Sequence, residues 1–148
     1  YSMFSFLNKF VPAKPVYAHC DIPCGIYTMK PARTAAKTVV KMIEKILALP
    51  SGQSPEEILQ ARNSFVRMVQ VKEEHAQICK RELLILWTDY FKPEHLAIFP
   101  DLHEKFWKAA KLCSKVKQEV NMEAAKALQD AVEEIAEMFS KAEATKKS

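Results

Sequence analysis

Residues 36–47, Ala36-Lys37-Thr38-Val39-Val40-Lys41-Met42-Ile43-Glu44-Lys45-Ile46-Leu47, decide the fold class. Ala36, Val39, Val40, Ile43, Ile46 and Leu47 recur at intervals of three and four, which lines them along one face of an α-helix. Leu49-Pro50-Ser51-Gly52 stops that helix. Ser54-Pro55-Glu56-Glu57 opens the next one: serine caps the free N–H groups, proline suits the first helical position, and Glu57 completes a capping box. Its apolar stripe runs through Ile58, Phe65, Val69, Ala76, Cys79, Leu83, Leu86, Trp87 and Tyr90 and ends near Phe91, before Pro93. One straight helix of that length would reach ~54 Å, so a bend or break is expected. An irregular link over residues 92–100 leads to Asp101, expected to be an N-cap with Glu104 three residues on. Leu102, Phe106, Ala109, Cys113, Val116 and Val120 then form a third stripe, which Asn121 caps or interrupts. Ala125, Leu128, Val132, Ile135, Phe139 and Ala142 form a fourth, and residues 144–148 read as a frayed tail. Four amphipathic helices with mostly short connections predict an all-α fold, an antiparallel four-helix bundle.

Composition agrees. The chain has 148 residues, enough for one domain with a real core, and only 2 glycines, which argues against a hairpin-rich β fold. Four cysteines are too few for a disulfide scaffold. Lysine and arginine number 22 against 18 acids, and Lys9 and Lys14 supply two of the formal +4 charges. That is no nucleic-acid footprint, and no apolar run is long enough for a transmembrane segment. Met42, Trp87, Trp107 and Phe139 read as core, and Cys79 and Cys113 as small buried hydrophobes on apolar faces.

Residues 1–18 read as a leader ahead of a domain spanning 19–148. They hold aromatics, Pro12, Pro15, Lys9 and Lys14 but no acid, and end in Val16-Tyr17-Ala18. The small residue suits cleavage, whereas Asn8, Lys9 and the prolines break the apolar stretch a secretory signal needs. A leader removed by another protease fits better, with a surface-docking arm as the alternative. The start at Tyr1 rather than methionine points to trimming upstream.

The segment with chemistry is His19-Cys20-Asp21-Ile22-Pro23-Cys24-Gly25-Ile26-Tyr27. Cleavage after Ala18 would give His19 a free amine. That amine, the His19 imidazole and the amide and thiolate of Cys20 would then gather within two residues, and Cys24 adds a second thiolate. An amine, an ionised amide and two thiolates suit a square-planar ion, nickel or copper. Zinc fits less well, because two cysteines and one histidine leave a ligand missing. The spacing also differs from a haem-attachment motif. By spacing alone, a Cys20–Cys24 disulfide and a pair of free loop thiols stand beside the metal site.

The nine-residue segment resembles the metal hook of nickel superoxide dismutases. A second stretch, Leu86-Trp87-Thr88-Asp89-Tyr90-Phe91-Lys92-Pro93 with His95 and Phe99-Pro100-Asp101-Leu102-His103, resembles that family's other recognisable segment. The resemblance extends over residues 19–142. It implies a nickel ion held by His19 (amine and axial imidazole), Cys20 (amide and sulfur) and Cys24 (sulfur). It also implies dismutation of superoxide to dioxygen and hydrogen peroxide, with nickel cycling between Ni(II) and Ni(III). Tyr27 and Tyr90 would line the substrate approach, and Asp21 would help hold the hook. A homohexamer of four-helix bundles and a processing protease are implied as well. Thiolates beside a redox metal suit the cytoplasm or an organelle lumen.

Two positions depart from that family's pattern. Ala35 stands where a glutamate is common and His75 where an arginine is common, both of which support the axial imidazole. Such partners orient a ligand and tune its metal. A retained leader would leave the His19 nitrogen as an amide, unable to act as the amine donor. The alternative expectation is therefore an unprocessed, non-catalytic relative, docked into a larger assembly through Phe4, Phe6, Leu7 and Phe10.

Overall fold

A computed structural model describes residues 25–146 as four helices: α1 (Lys30–Leu47), α2 (Pro55–Ile85), α3 (Leu102–Gln118) and α4 (Met122–Thr145). A π-helical turn at Leu86–Tyr90 continues α2, closed by the Phe91 N–H donating to the Leu86 carbonyl at 3.0 Å. A 3₁₀ turn at Pro93–Ala97 then leads towards α3. The expected break in the second helix is this change of winding. No strand occurs among the described residues, and none of their helices is long and apolar enough to cross a membrane. His19, Cys20, Asp21 and Cys24, with the leader, lie outside the described residues.

Helix α1 packs on α2, α2 on α3, α3 on α4 and α4 back on α1, which closes the four-helix bundle. Polar ties fix its antiparallel register. Lys80 Nζ donates to Ser114 Oγ at 3.1 Å, and Lys117 Nζ to Gln77 Oε1 at 2.9 Å, so a step back along α2 is a step forward along α3. Arg33 on α1 donates from Nε and Nη2 to one oxygen of Glu133 on α4, at 2.9 and 2.6 Å. The stripes meet in a shared core of Val39, Ile43, Leu83, Phe106, Val116, Leu128 and Ile135.

Helix boundaries follow local chemistry. The Ser54 hydroxyl accepts from the Glu57 N–H while the Glu57 carboxylate accepts from the Ser54 N–H, the expected capping box. Asn121 caps α4 by accepting from the Ala124 N–H at 2.9 Å. Asp101 differs from expectation. Its side chain makes no cap hydrogen bond and instead faces Lys105 Nζ at 3.4 Å. Gly52 holds φ +77°, and a Cβ there would meet the Ile58 nitrogen at 2.7 Å, so this turn needs glycine.

Some stripe residues fall outside the core. Leu47, Phe65, Val120 and Trp107 are exposed. For Phe65 the cause is length: α2 outruns α3, so its first four turns have no α3 beside them, and Leu59 and Val66 are exposed there too. Val120 follows the last turn of α3. Trp107 sits one residue past buried Phe106, on the outer face, with Lys111 Nζ 5.5 Å from its ring centroid. Met42, Trp87 and Phe139 are half-buried at the core margin.

The stripe of α2 also contains a lysine. Lys72 is 2% exposed, and its Nζ donates to the carbonyls of Val116 (2.5 Å), Lys117 (2.7 Å) and Glu119 (3.4 Å). It caps the end of α3 from a neighbouring helix, where the helix dipole favours a cation. Burial lowers its pKa below the ordinary lysine value, partly countered by Glu73.

Candidate metal and substrate site

One end of the bundle gathers the start of α1, the π-turn after α2, the 3₁₀ turn, the start of α3 and the end of α4. Aromatic side chains fill it because these five chain segments converge there and large flat groups close the gaps between them. Tyr27, three residues past Cys24, meets Tyr90 edge-on with ring centroids 5.5 Å apart. The expected pair is thus assembled, although 63 residues separate its members in sequence.

Tyr90 is 3% exposed. Its ring lies between Phe139 (centroids 4.6 Å), Phe91 (4.9 Å) and a parallel His95 ring (6.0 Å). The π-turn matters here, since the added residue per turn rotates the end of α2 and carries Tyr90 into this cluster. His95 is held in turn by the Lys92 N–H, which donates to its Nδ1 at 2.9 Å. The Trp87 indole N–H donates to His103 Nδ1 at 2.9 Å, and the Trp87 ring stacks on Phe106 at 5.8 Å. These contacts come from the second sequence segment quoted above, which builds the wall of the site.

The Tyr90 hydroxyl donates to Glu143 Oε1 at 2.5 Å. Lys146 Nζ donates to the same oxygen at 2.8 Å and stands 4.2 Å from the Tyr90 ring centroid. Burial, then the hydrogen bond and charge of Glu143, push the Tyr90 pKa well above the ordinary tyrosine value. Tyr90 therefore keeps its proton at neutral pH, and its oxygen retains lone pairs for a water or a small oxygen species. Lys146 was not legible as a site residue because residues 144–148 read as a frayed tail, and Glu143 is a polar position just past Ala142, the last residue of the stripe. In fact α4 runs to Thr145, and Lys146 follows as its C-cap.

Beside Tyr27, a cleft of about 350 Å³ lies between the start of α1 and the end of α4. Lys30, Arg33 and Lys37 line it with Thr34, Phe139 and Ser140. Arg33 is paired with Glu133, yet the cleft carries more positive than negative side chains, which suits a small anion.

The structure places His75 elsewhere. It is half-buried on α2, fifteen residues before Tyr90, or about 20 Å along the helix axis. Its Nδ1 faces the Val71 carbonyl at 2.9 Å and therefore carries the proton in the neutral ring, leaving Nε2 as an acceptor. Ala35 is 1% exposed, packed in the α1 core. Among the described residues no group of three or more metal-ligating side chains converges.

The sequence pattern of nickel-containing superoxide dismutases matches residues 14–143. The chain belongs to that family. It is 33% identical over 130 residues to superoxide dismutase [Ni] of Streptomyces seoulensis, spanning 88% of this chain and 92% of the relative. The corresponding protein of Streptomyces coelicolor is 36% identical over 95 residues, 64% of this chain and 65% of that protein. A crystal structure of a nickel-containing superoxide dismutase, in a ligation state after partial X-ray-induced reduction, matches with a TM-score of 0.74 at 32% identity. That match covers 88% of this chain and all of the other. The shared extent includes both the bundle and the hook segment.

Proposed function

We propose that this chain dismutes superoxide to dioxygen and hydrogen peroxide with nickel held by His19, Cys20 and Cys24. The observation that carries the reading is the Tyr27–Tyr90 pair, assembled immediately downstream of the hook in a chain of this family. The donor set fits the ion: two thiolates, one backbone amide and one terminal amine are strong-field ligands suited to square-planar nickel. When bound, nickel supplies the one-electron couple, Ni(II)/Ni(III), that dismutation needs.

The chain's own residues do the rest. His19 would bind through its amine and imidazole once the leader, residues 1–18, is removed. Asp21 would help hold the hook. Lys30 and Lys37 favour entry of an anion along the cleft. Tyr27 and Tyr90 narrow the approach and hold ordered water. The Glu143 bond keeps the Tyr90 hydroxyl protonated and fixed, so its oxygen can accept a hydrogen bond from that water. His75 offers Nε2 as an acceptor where the family resemblance implies an arginine donor. The family's assembly as a hexamer belongs to the same reading.

The test is a chain beginning at His19 and loaded with nickel, assayed for superoxide decay by stopped flow. One nickel per chain and catalytic decay are expected, both lost in Cys24→Ser with helical circular dichroism unchanged. Full activity in Cys24→Ser would reject the hook as the site. A native protein that keeps Tyr1 and carries no nickel would instead support the docking subunit, because a bonded His19 nitrogen is not an amine.

A further inference from the structure

Cys79 and Cys113 lie on the facing, buried sides of α2 and α3, and both are free thiols with no solvent exposure. The register ties place them opposite one another. Lys80 and Ser114, each the next residue, are joined at 3.1 Å, and one turn away Gln77 meets Lys117 at 2.9 Å. At this contact each thiol bears on the other's ionisation: Cys113, then burial, raises the Cys79 pKa, while Cys79 lowers that of Cys113 despite burial, and the Lys80 and Lys117 ammonium groups lower it further. Two free thiols on facing helices, with the Lys80 ammonium tied to Ser114 next to Cys113, have the arrangement of a resolving and an attacking cysteine. Neither residue takes part in the proposed nickel site.

We propose that Cys79 and Cys113 form a peroxide-responsive dithiol that closes to a disulfide between α2 and α3. The Cys113 thiolate attacks one oxygen of hydrogen peroxide. The O–O bond breaks, the other oxygen takes a proton and leaves as water, and Cys113 becomes a sulfenic acid. The Cys79 sulfur then attacks the Cys113 sulfur, the S–O bond breaks, and the hydroxyl leaves with the Cys79 proton as a second water. Two thiols are oxidised by two electrons, and one peroxide is reduced to two waters. The inference rests on the proposed dismutation only for an internal source of peroxide. Since both thiols are enclosed, the rate follows local opening of the α2–α3 contact.

Peptide mapping of the full chain as purified tests this. Trypsin releases Cys79 in the peptide 73–80 and Cys113 in 112–115, while Cys20 and Cys24 share one peptide because no lysine or arginine lies between them. After added peroxide and alkylation under denaturing conditions, the expected product is the 73–80 and 112–115 pair joined and two hydrogens lighter than the separate peptides. Cys79 and Cys113 both cease to be alkylatable, and the chain stays monomer-sized on a non-reducing gel. Cys113→Ala should remove the product and leave Cys79 alkylatable. Recovery of the two peptides unlinked after peroxide, or a cross-link between chains, overturns the proposal. A further arm follows superoxide decay by the nickel-loaded chain in stopped flow. Catalysed decay without the cross-link after peroxide overturns the dithiol alone, and the cross-link without catalysed decay counts against the dismutation reading and supports the dithiol.

Discussion

Replacing Lys72 with methionine should destabilise the fold by about 2–4 kcal/mol. The side chain is 2% exposed and reaches three carbonyls at the end of α3, two of them at 2.5 and 2.7 Å. A hydrogen bond from a charged donor contributes about 1.5–3 kcal/mol, so the two short ones supply about 3–6 kcal/mol before costs. Against this stands the burial of an ammonium group, the same cost that lowers the Lys72 pKa. Methionine keeps the apolar stem and nearly the same length, so the change leaves no large cavity and reads out the lost cap. Urea unfolding by far-UV circular dichroism at pH 7, at one fixed protein concentration, measures the difference. Hydrogen exchange locates it: amides in the last turn of α3 and through residue 121 should lose protection first. A change under about 0.5 kcal/mol, or a gain, would refute the reasoning, since the desolvation cost would then match the cap bonds.

Gly52→Ala should cost about 1–3 kcal/mol by thermal melt, because φ is +77° and the new Cβ would press on backbone at 2.7 Å. Tyr90 sets an alkaline limit. Its pKa is raised on folding, so its contribution is fully present below the ordinary tyrosine value and is lost as pH rises beyond it. Between pH 10 and 11, wild-type stability should therefore fall more steeply than that of Tyr90→Phe, by at most about 1.4 kcal/mol per pH unit; parallel slopes would contradict the buried Tyr90–Glu143 bond. Glu133→Gln should change stability by less than about 1 kcal/mol in the same melts, since Arg33 and Glu133 are each about 40% exposed.

The helices were legible because period and punctuation agree. The α1 stripe, the Ser54–Glu57 box and Asn121 each combine a local rule with a local residue, and each forms as read. What escaped is non-local. Lys72 occupies a stripe position between Val69 and Ala76, where only the carbonyls of another helix can make a lysine acceptable. Glu143 meets Tyr90 across 53 residues, and nothing near either one announces the other. Phe65 and Trp107 show the opposite failure: apolar residues at or beside helical spacing are buried only where a neighbour extends far enough to cover them. Tyr27 and Tyr90 were found through two matching segments, and the bundle's connectivity is what brings those segments together.

The altered positions 35 and 75 bear differently on the proposed site. Ala35 is enclosed among Ala32, Ala36 and Val39, so in this chain the position serves the core, and a carboxylate there would have to be desolvated. His75 stands about 20 Å from Tyr90 along the axis of α2, and its Nδ1–H donates to the Val71 carbonyl, which anchors the ring to its own helix. The neutral ring is left with one acceptor, Nε2, where an arginine would present several donors and a permanent charge. A histidine at 75 can therefore receive a donor N–H but cannot hold a carboxylate or an acceptor nitrogen in an arginine's place, while the Tyr27–Tyr90 contact, made by other elements, does not depend on it.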